Sequence, residues 1–261
     1  MNILEKIAQS KREEVQLKKE HLTLDVLEIL PHFSRHCHSL KDNLLKDPAG
    51  IIAEFKRRSP SLPDLNLEAD VEEITSGYES AGASGISVLT DELYFGGTLD
   101  DLLLTREIAQ VPLLRKDFII DEYQIYEAKA FGADVILLIA ALLTPQQIRD
   151  FARIAGTLGL EVLMEVHDEE ELLRSLTPEL HMVGVNNRNL KTFQVDIETS
   201  KQLADKIPQE FVRVSESGIS AVSSIRELQQ YGYKGFLIGE NFMKTRDPGQ
   251  TAAEFIKELL K

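Results

Sequence analysis

From residue 51 onward the chain predicts a (β/α)8 TIM barrel preceded by an N-terminal helical extension, and three observations carry that expectation. First, short β-rich apolar runs alternate with helical patterns, eight of each over roughly 210 residues, as parallel strands joined by crossover helices require. Second, ionisable residues recur at the carboxyl ends of runs one, three, five and seven, the end where such barrels carry their chemistry. Third, no Gly-rich dinucleotide fingerprint and no phosphate-loop lysine motif supports the competing topology, an open doubly wound sheet.

Residues 2–20 are rich in good helix formers, with Ile3, Leu4, Ile7, Val15 and Leu17 forming an imperfect apolar stripe. A second short helix is expected from Thr23, a candidate N-cap, through Leu30, stopping before Pro31. His32, His36, Cys37 and His38 follow, but no second cysteine or nearby carboxylate completes a metal set, so no metal is assigned. The strands are expected at Ile51–Phe55, Gly85–Leu89, Pro112–Arg115, Val135–Ile139, Glu161–Glu165, Met182–Asn186, Val212–Ser215 and Gly235–Ile238. Between them helices are expected at 71–81, 99–108, 122–131, 145–158, 169–176, 197–204 and 222–231, with a last one at 251–260. No linker or low-complexity stretch follows residue 50, so residues 1–261 are read as a single domain, an extension at 1–48 and a barrel at 49–261.

Composition narrows the functional classes. A net charge of -14 argues against general nucleic-acid binding, which wants a basic surface. The longest wholly apolar run, Val135 to Leu143, is far too short to span a bilayer. A single cysteine excludes a disulfide framework, and the first residues lack an apolar core with a cleavage site, so a cytoplasmic protein is expected.

The strand ends hold the chemistry-bearing residues. Side chains alternate faces along a strand, so Ile52, Glu54 and Lys56 share one side of the first run. By the same parity Leu114 goes with Lys116, Leu163 with Glu165, and Val212 and Val214 with Glu216. Barrel interiors are layered, each layer drawing on alternate strands, so Glu54, Lys116, Glu165 and Glu216 are expected to form one charged layer at the mouth. A layer serving stability alone would favour Val, Ile or Leu, because stripping water from each charge costs several kcal/mol before pairing. Asn186 and Arg188 end the sixth run. The turns at Ser217-Gly218 and Gly239-Glu240, after runs seven and eight, sit where barrels that bind phosphorylated substrates hold the phosphate. Lys56, Arg57, Arg58, Arg115, Lys116 and Arg188 are expected to make the rim locally basic, as an anionic small-molecule substrate needs.

Taken together these segments resemble the indole-3-glycerol-phosphate synthase family. The most specific are Ile52-Ala53-Glu54-Phe55-Lys56 with Ser59-Pro60-Ser61, Ser87-Val88-Leu89-Thr90-Asp91, Leu114-Arg115-Lys116-Asp117-Phe118, Glu165-Val166-His167, Asn186-Asn187-Arg188-Asn189-Leu190 and Glu216-Ser217-Gly218-Ile219. The resemblance covers nearly the whole chain and implies a carbon–carbon lyase of tryptophan biosynthesis. Its substrate would be 1-(2-carboxyphenylamino)-1-deoxyribulose 5-phosphate, turned over with no metal or organic cofactor by a monomer. It implies Lys116 as general acid, Glu165 in proton transfer, Lys56 against substrate anion, and Glu54, Asn186 and Glu216 as orienting groups. Ser59, Arg188, Ser217, Gly218, Gly239 and the Glu240 amide would face carboxylate or phosphate, and Phe95, Phe118 and Leu190 would hold the aromatic ring. Crowding by Lys56 and the arginines, with partial burial, is expected to lower the Lys116 pKa. One departure stands out: many members continue Ser-Pro-Ser with Lys-Gly, whereas this chain has Leu62-Pro63-Asp64, which removes a cation and stiffens the loop. The alternatives are a sugar-phosphate barrel enzyme of the phosphoribosylanthranilate isomerase kind, without decarboxylation, and a non-catalytic phosphate-binding barrel.

Overall fold

The computed structural model describes residues 3–189 and 192–261, so Leu190, expected in the aromatic pocket, lies outside the described residues. The extension supplies α1 (Ile3–His21), α2 (Leu24–Glu28) and α3 (Leu40–Lys46). The barrel half-way round comprises β1 (Ile51–Phe55), α4 (Val71–Ser80), β2 (Gly85–Leu89), α5 (Glu92–Phe95), α6 (Leu99–Ile108), β3 (Leu113–Lys116), α7 (Tyr123–Ala130) and β4 (Val135–Ile139). It continues with α8 (Pro145–Thr157), β5 (Glu161–Val166), α9 (Glu169–Ser175), β6 (Met182–Asn186) and α10 (Glu198–Ala204). β7 (Val212–Glu216), α11 (Val222–Gln230), β8 (Gly235–Ile238), α12 (Glu240–Met243) and α13 (Pro248–Leu259) complete it. The strands pair in chain order and close, β8 against β1, with each neighbouring pair parallel.

The expected strands hold to within a residue or two at each end. Among the described residues three helices were not expected: α3, α5 and α12. Each is short and draws its stability from what it touches rather than from length. Helix starts carry side-chain caps where the sequence offers them. Thr98 with Asp101 and Thr144 with Gln147 form reciprocal capping boxes, whereas Thr23 sits at the N-cap of α2 without a side-chain cap bond. The expected stripe on α1 is corrected at Leu17, which is exposed; the buried face is Ile7, Ala8, Lys11 and Val15.

Two apolar cores build the barrel. The outer one lies between strands and helices, and the inner one fills the barrel with Ile52, Leu114, Leu137, Leu163, Val214 and Leu237 among others. A smaller cluster of Val15, Leu27, Tyr123 and Ala130 seats the extension against α7. Leu40 and Leu44 of α3 join the inner core from the amino-terminal end and plug it. Glycine opens the space they enter, since a Cβ at Gly85 would come within 2.6 Å of Leu40 Cδ1 and one at Gly235 within 3.0 Å of Leu44 Cδ1. Among the described residues the far end has no such plug, and there the cavity opens.

Candidate active site

Strand parity and register place the mouth residues. Glu54 lies beside Ser87, Glu165 beside Gly184, and Glu216 between Asn186 and Leu237. A Cβ on Gly184 would collide with the Glu216 carboxylate, and one on Gly239 with that of Glu54, so glycines on β6 and just after β8 make room for charges on odd strands. Lys116 Nζ donates to Glu216 Oε2 at 2.5 Å and to Glu165 Oε2 at 3.2 Å. Lys56 Nζ donates to Glu54 Oε1 at 2.6 Å, and Asn186 Nδ2 to Glu165 Oε1 at 3.2 Å. The four groups expected to form one layer therefore line a single cavity of about 400 Å³, together with Lys56, Asn186 and Arg188.

The same cavity takes in Ser59 from the loop after β1, Phe95 at the end of α5, and Phe118 just after β3. The two rings lie with centroids 5.8 Å apart, tilted by 39°. Across from them Ser217, Gly218, Gly239 and Glu240 line the wall. Ser217 has φ 67° and Gly218 φ 76°, two successive left-handed residues, the first costly for a side-chain-bearing residue. Buried Asn187 holds that turn by donating to the Ser217 carbonyl at 3.1 Å and to Ser215 Oγ at 3.0 Å. Arg188 reaches Glu240 at 3.5 Å, linking the loops after β6 and β8.

Charge state follows from these neighbours. Burial alone would drive the Lys116 ammonium toward neutrality, but the carboxylates of Glu216, Glu165 and Glu54 outweigh it and hold its pKa above the ordinary lysine range. The expected lowering is thus reversed: its neighbours are carboxylates, and Lys56 is engaged by Glu54. Glu216 is pushed up to about 7, first by burial and then by the Glu165 charge, with Lys116 opposing. Glu165 moves the other way. Burial would raise its pKa, but Lys116, His167 and the Asn186 hydrogen bond hold it below the usual carboxylate value.

The basic rim is also corrected. Arg115 is fully buried on the opposite face of β3 from Lys116, bonded to Asp117 and Glu127 at 2.9 and 2.7 Å. Arg57 forks onto Asp101 at 2.7 and 2.8 Å, and Arg58 reaches the Glu92 carbonyl at 2.6 Å. Lys56, Lys116 and Arg188 remain at the cavity, joined by Lys244 of the turn after α12. Missing from the expected set were Lys244, the cavity-lining Ile3, Leu4 and Ile7 of α1, and His167. For His167 the signal was available, because it shares strand parity with Glu165.

A profile of the indole-3-glycerol phosphate synthase family matches residues 4–257. The chain belongs to the indole-3-glycerol phosphate synthase family. The protein of that name from Bacteroides thetaiotaomicron is 48% identical over 258 residues, covering 99% of each chain. Its counterpart from Caldanaerobacter subterraneus subsp. tengcongensis is 44% identical over 98% of each. Solved structures alike only in fold include 3-hexulose-6-phosphate synthase from Salmonella typhimurium, with a TM-score of 0.64 at 14% identity over 81% of this chain and 98% of that one. Thiamine phosphate pyrophosphorylase from Pyrococcus furiosus gives 0.60 at 18%, over 83% and 100%. Among the described residues no group of three or more His, Cys, Asp or Glu is placed to hold a metal, and no helix is long and apolar enough to cross a membrane.

Proposed function

We propose that the chain is an indole-3-glycerol-phosphate synthase, closing the ring of 1-(2-carboxyphenylamino)-1-deoxyribulose 5-phosphate with loss of carbon dioxide and water. The observation that carries the reading is Lys116, held between Glu165 and Glu216 in a cavity that also presents two phenyl rings and a glycine turn. In this reading Phe95 and Phe118 hold the anilino ring, and Lys56 meets the substrate carboxylate. The phosphate lies against Ser217, Gly218, Gly239 and the Glu240 amide with Arg188 beside them; Ser59 faces carboxylate or phosphate from the loop after β1.

Ring closure develops negative charge on the ribulose carbonyl oxygen. A lysine with a raised pKa is a reluctant donor to a carbonyl but a willing one to an alkoxide. Lys116 therefore acts first as a fixed positive charge and hydrogen-bond donor, its proton following as the oxygen becomes basic. Glu165, kept ionised, takes up a proton in the later dehydration. Glu216 and Glu54 orient Lys116 and Lys56, and Asn186 orients Glu165.

The extension and barrel work as one unit in this reading, a monomeric cytoplasmic enzyme for a small anionic substrate. The single cysteine fits a reducing compartment, and the acidic overall balance argues against nucleic acid as a partner. Supplying purified protein with the carboxyphenylamino-deoxyribulose phosphate should give indole fluorescence. Binding without product at high enzyme concentration would favour the non-catalytic barrel instead.

A further inference from the structure

We propose that His167, oriented by Glu171, is a positioning residue that keeps Glu165 ionised and aimed at the reacting atoms. This rests on the assignment of proton transfer to Glu165. His167 follows the last residue of β5 and lies 3.4 Å from Glu165 through its Nε2, which is buried and makes no hydrogen bond among the described residues. The other ring nitrogen, Nδ1, meets Glu171 Oε2 at 3.0 Å, and the same oxygen accepts the His167 backbone N–H at 2.8 Å. One carboxylate oxygen thus fixes both backbone and ring, so the free nitrogen cannot swing away from Glu165 without breaking a bond. Nothing in packing alone calls for a buried imidazole with an idle edge here.

The charged groups around His167 and Glu165 come from three further elements: Glu171 on α9, Glu216 on β7 and Lys116 on β3. Burial would keep His167 neutral, yet its bond to Glu171 and the three carboxylate charges raise its pKa above the ordinary value. A charged His167 stabilises the Glu165 carboxylate, which then survives to lower pH. Lys116 supplies the same service from the opposite side, but a lysine that shifts toward a substrate oxygen leaves Glu165. His167 does not contact that oxygen's donor and stays.

Two measurements test this. The first uses unliganded enzyme and needs no turnover: proton NMR of the His167 ring, assigned by its disappearance in His167→Gln. Its midpoint should lie above the ordinary histidine value and fall by about one pH unit in Glu165→Gln or Glu171→Gln. The second is the pH profile of indole-glycerol-phosphate formation. His167→Gln should move the acid limb upward by about one unit, and Glu171→Gln should move it the same way by less. An unshifted His167 midpoint in Glu165→Gln would overturn the proposal. So would a His167→Gln enzyme whose activity drops evenly at every pH. If wild-type protein makes no product, the functional reading fails while the NMR titration still decides the coupling.

Discussion

Two charged clusters lie back to back on β3, one outside the barrel wall and one inside its mouth. Outside, Lys11 of α1 reaches Asp91 at 3.0 Å and Asp117 at 3.1 Å, while Arg115 bonds Asp117, Glu127 and Thr90. Inside, one residue along the strand, Lys116 meets Glu165 and Glu216. Both clusters are buried, yet their protons are held differently. Despite burial, Lys11 is held in its charged form by Asp117, Asp91 and Glu14, and Asp117 in its own by Lys11 and Arg115. Inside, three carboxylates crowd Lys116, and burial, helped by the charges of Glu165 and Glu54, raises the Glu216 carboxyl to about 7. Outside, a carboxylate lies between two cations and fastens the N-terminal helix to the wall; inside, a lysine lies among three carboxylates, an arrangement that suits a group able to change its protonation state.

The largest effect that would sharpen this contrast is on rate. Lys116→Met should lower kcat/KM by about 10³-fold or more while the protein still folds, since it leaves carboxylates that can protonate. Indole fluorescence and a thermal melt on the same sample check both halves. A melt lowered as severely as the rate would place Lys116 with the fastening cluster instead.

Next comes stability. Asp117→Asn removes the carboxylate shared by Lys11 and Arg115 and leaves two buried cations short of a partner. It should cost about 3–5 kcal/mol at neutral pH, read by urea denaturation. Asp117 is held below the ordinary carboxylate value by Lys11 and Arg115 against the pull of burial. Its contribution is therefore present above the unfolded-state value and lost as pH falls, so the gap between variant and wild type should narrow in acid.

Glu216→Gln should behave with the opposite sign. A carboxyl whose folded pKa is raised from 4.5 to about 7 favours the folded state at low pH and loses that advantage as pH climbs through the interval. Glutamine loses nothing. The stability of Glu216→Gln relative to wild type should thus increase between pH 5 and pH 8 by roughly 2–3 kcal/mol. Lys116 keeps Glu165 at 3.2 Å, so the variant does not orphan a cation. If Glu216→Gln weakens in parallel with Asp117→Asn as conditions change, the distinction between the two clusters is wrong.

Strand parity made the inner cluster legible: Glu54, Lys116, Glu165 and Glu216 could be assigned to one layer because each shares a face with apolar residues of its own strand. The outer cluster was legible by the same rule and was missed. Arg115 must point away from Lys116, yet the basic run around it read as rim. What parity cannot supply is the partner. Lys11 comes from a helix roughly a hundred residues upstream of Asp117, and no local pattern marks a helical lysine for burial against a strand end. The direction of the Lys116 shift was hidden for the same reason, since it depends on which neighbours arrive rather than on which lie nearby in sequence. The short helices α3, α5 and α12 escaped because their stability is tertiary: α3 exists to fill the barrel floor with Leu40 and Leu44.

The smallest effect probes the solvent edge of the outer cluster. Glu14 bonds Lys11 at 2.6 Å and Lys18 at 2.7 Å, shorter than either bond Lys11 makes to Asp91 or Asp117. Distance alone would rank it first. But its side chain is 35% exposed, against 3% and 0% for the two aspartates, so water already meets much of its charge and screens the rest. Glu14→Gln should therefore cost only about 0.5 kcal/mol, a small displacement of the urea midpoint, with kcat unchanged. Lys11 keeps both aspartates, and α1 stays seated with Ile3, Leu4 and Ile7 along the cavity. A loss matching that of Asp117→Asn would mean the helix is held from its exposed side, and that burial is the wrong guide to which charges fasten it.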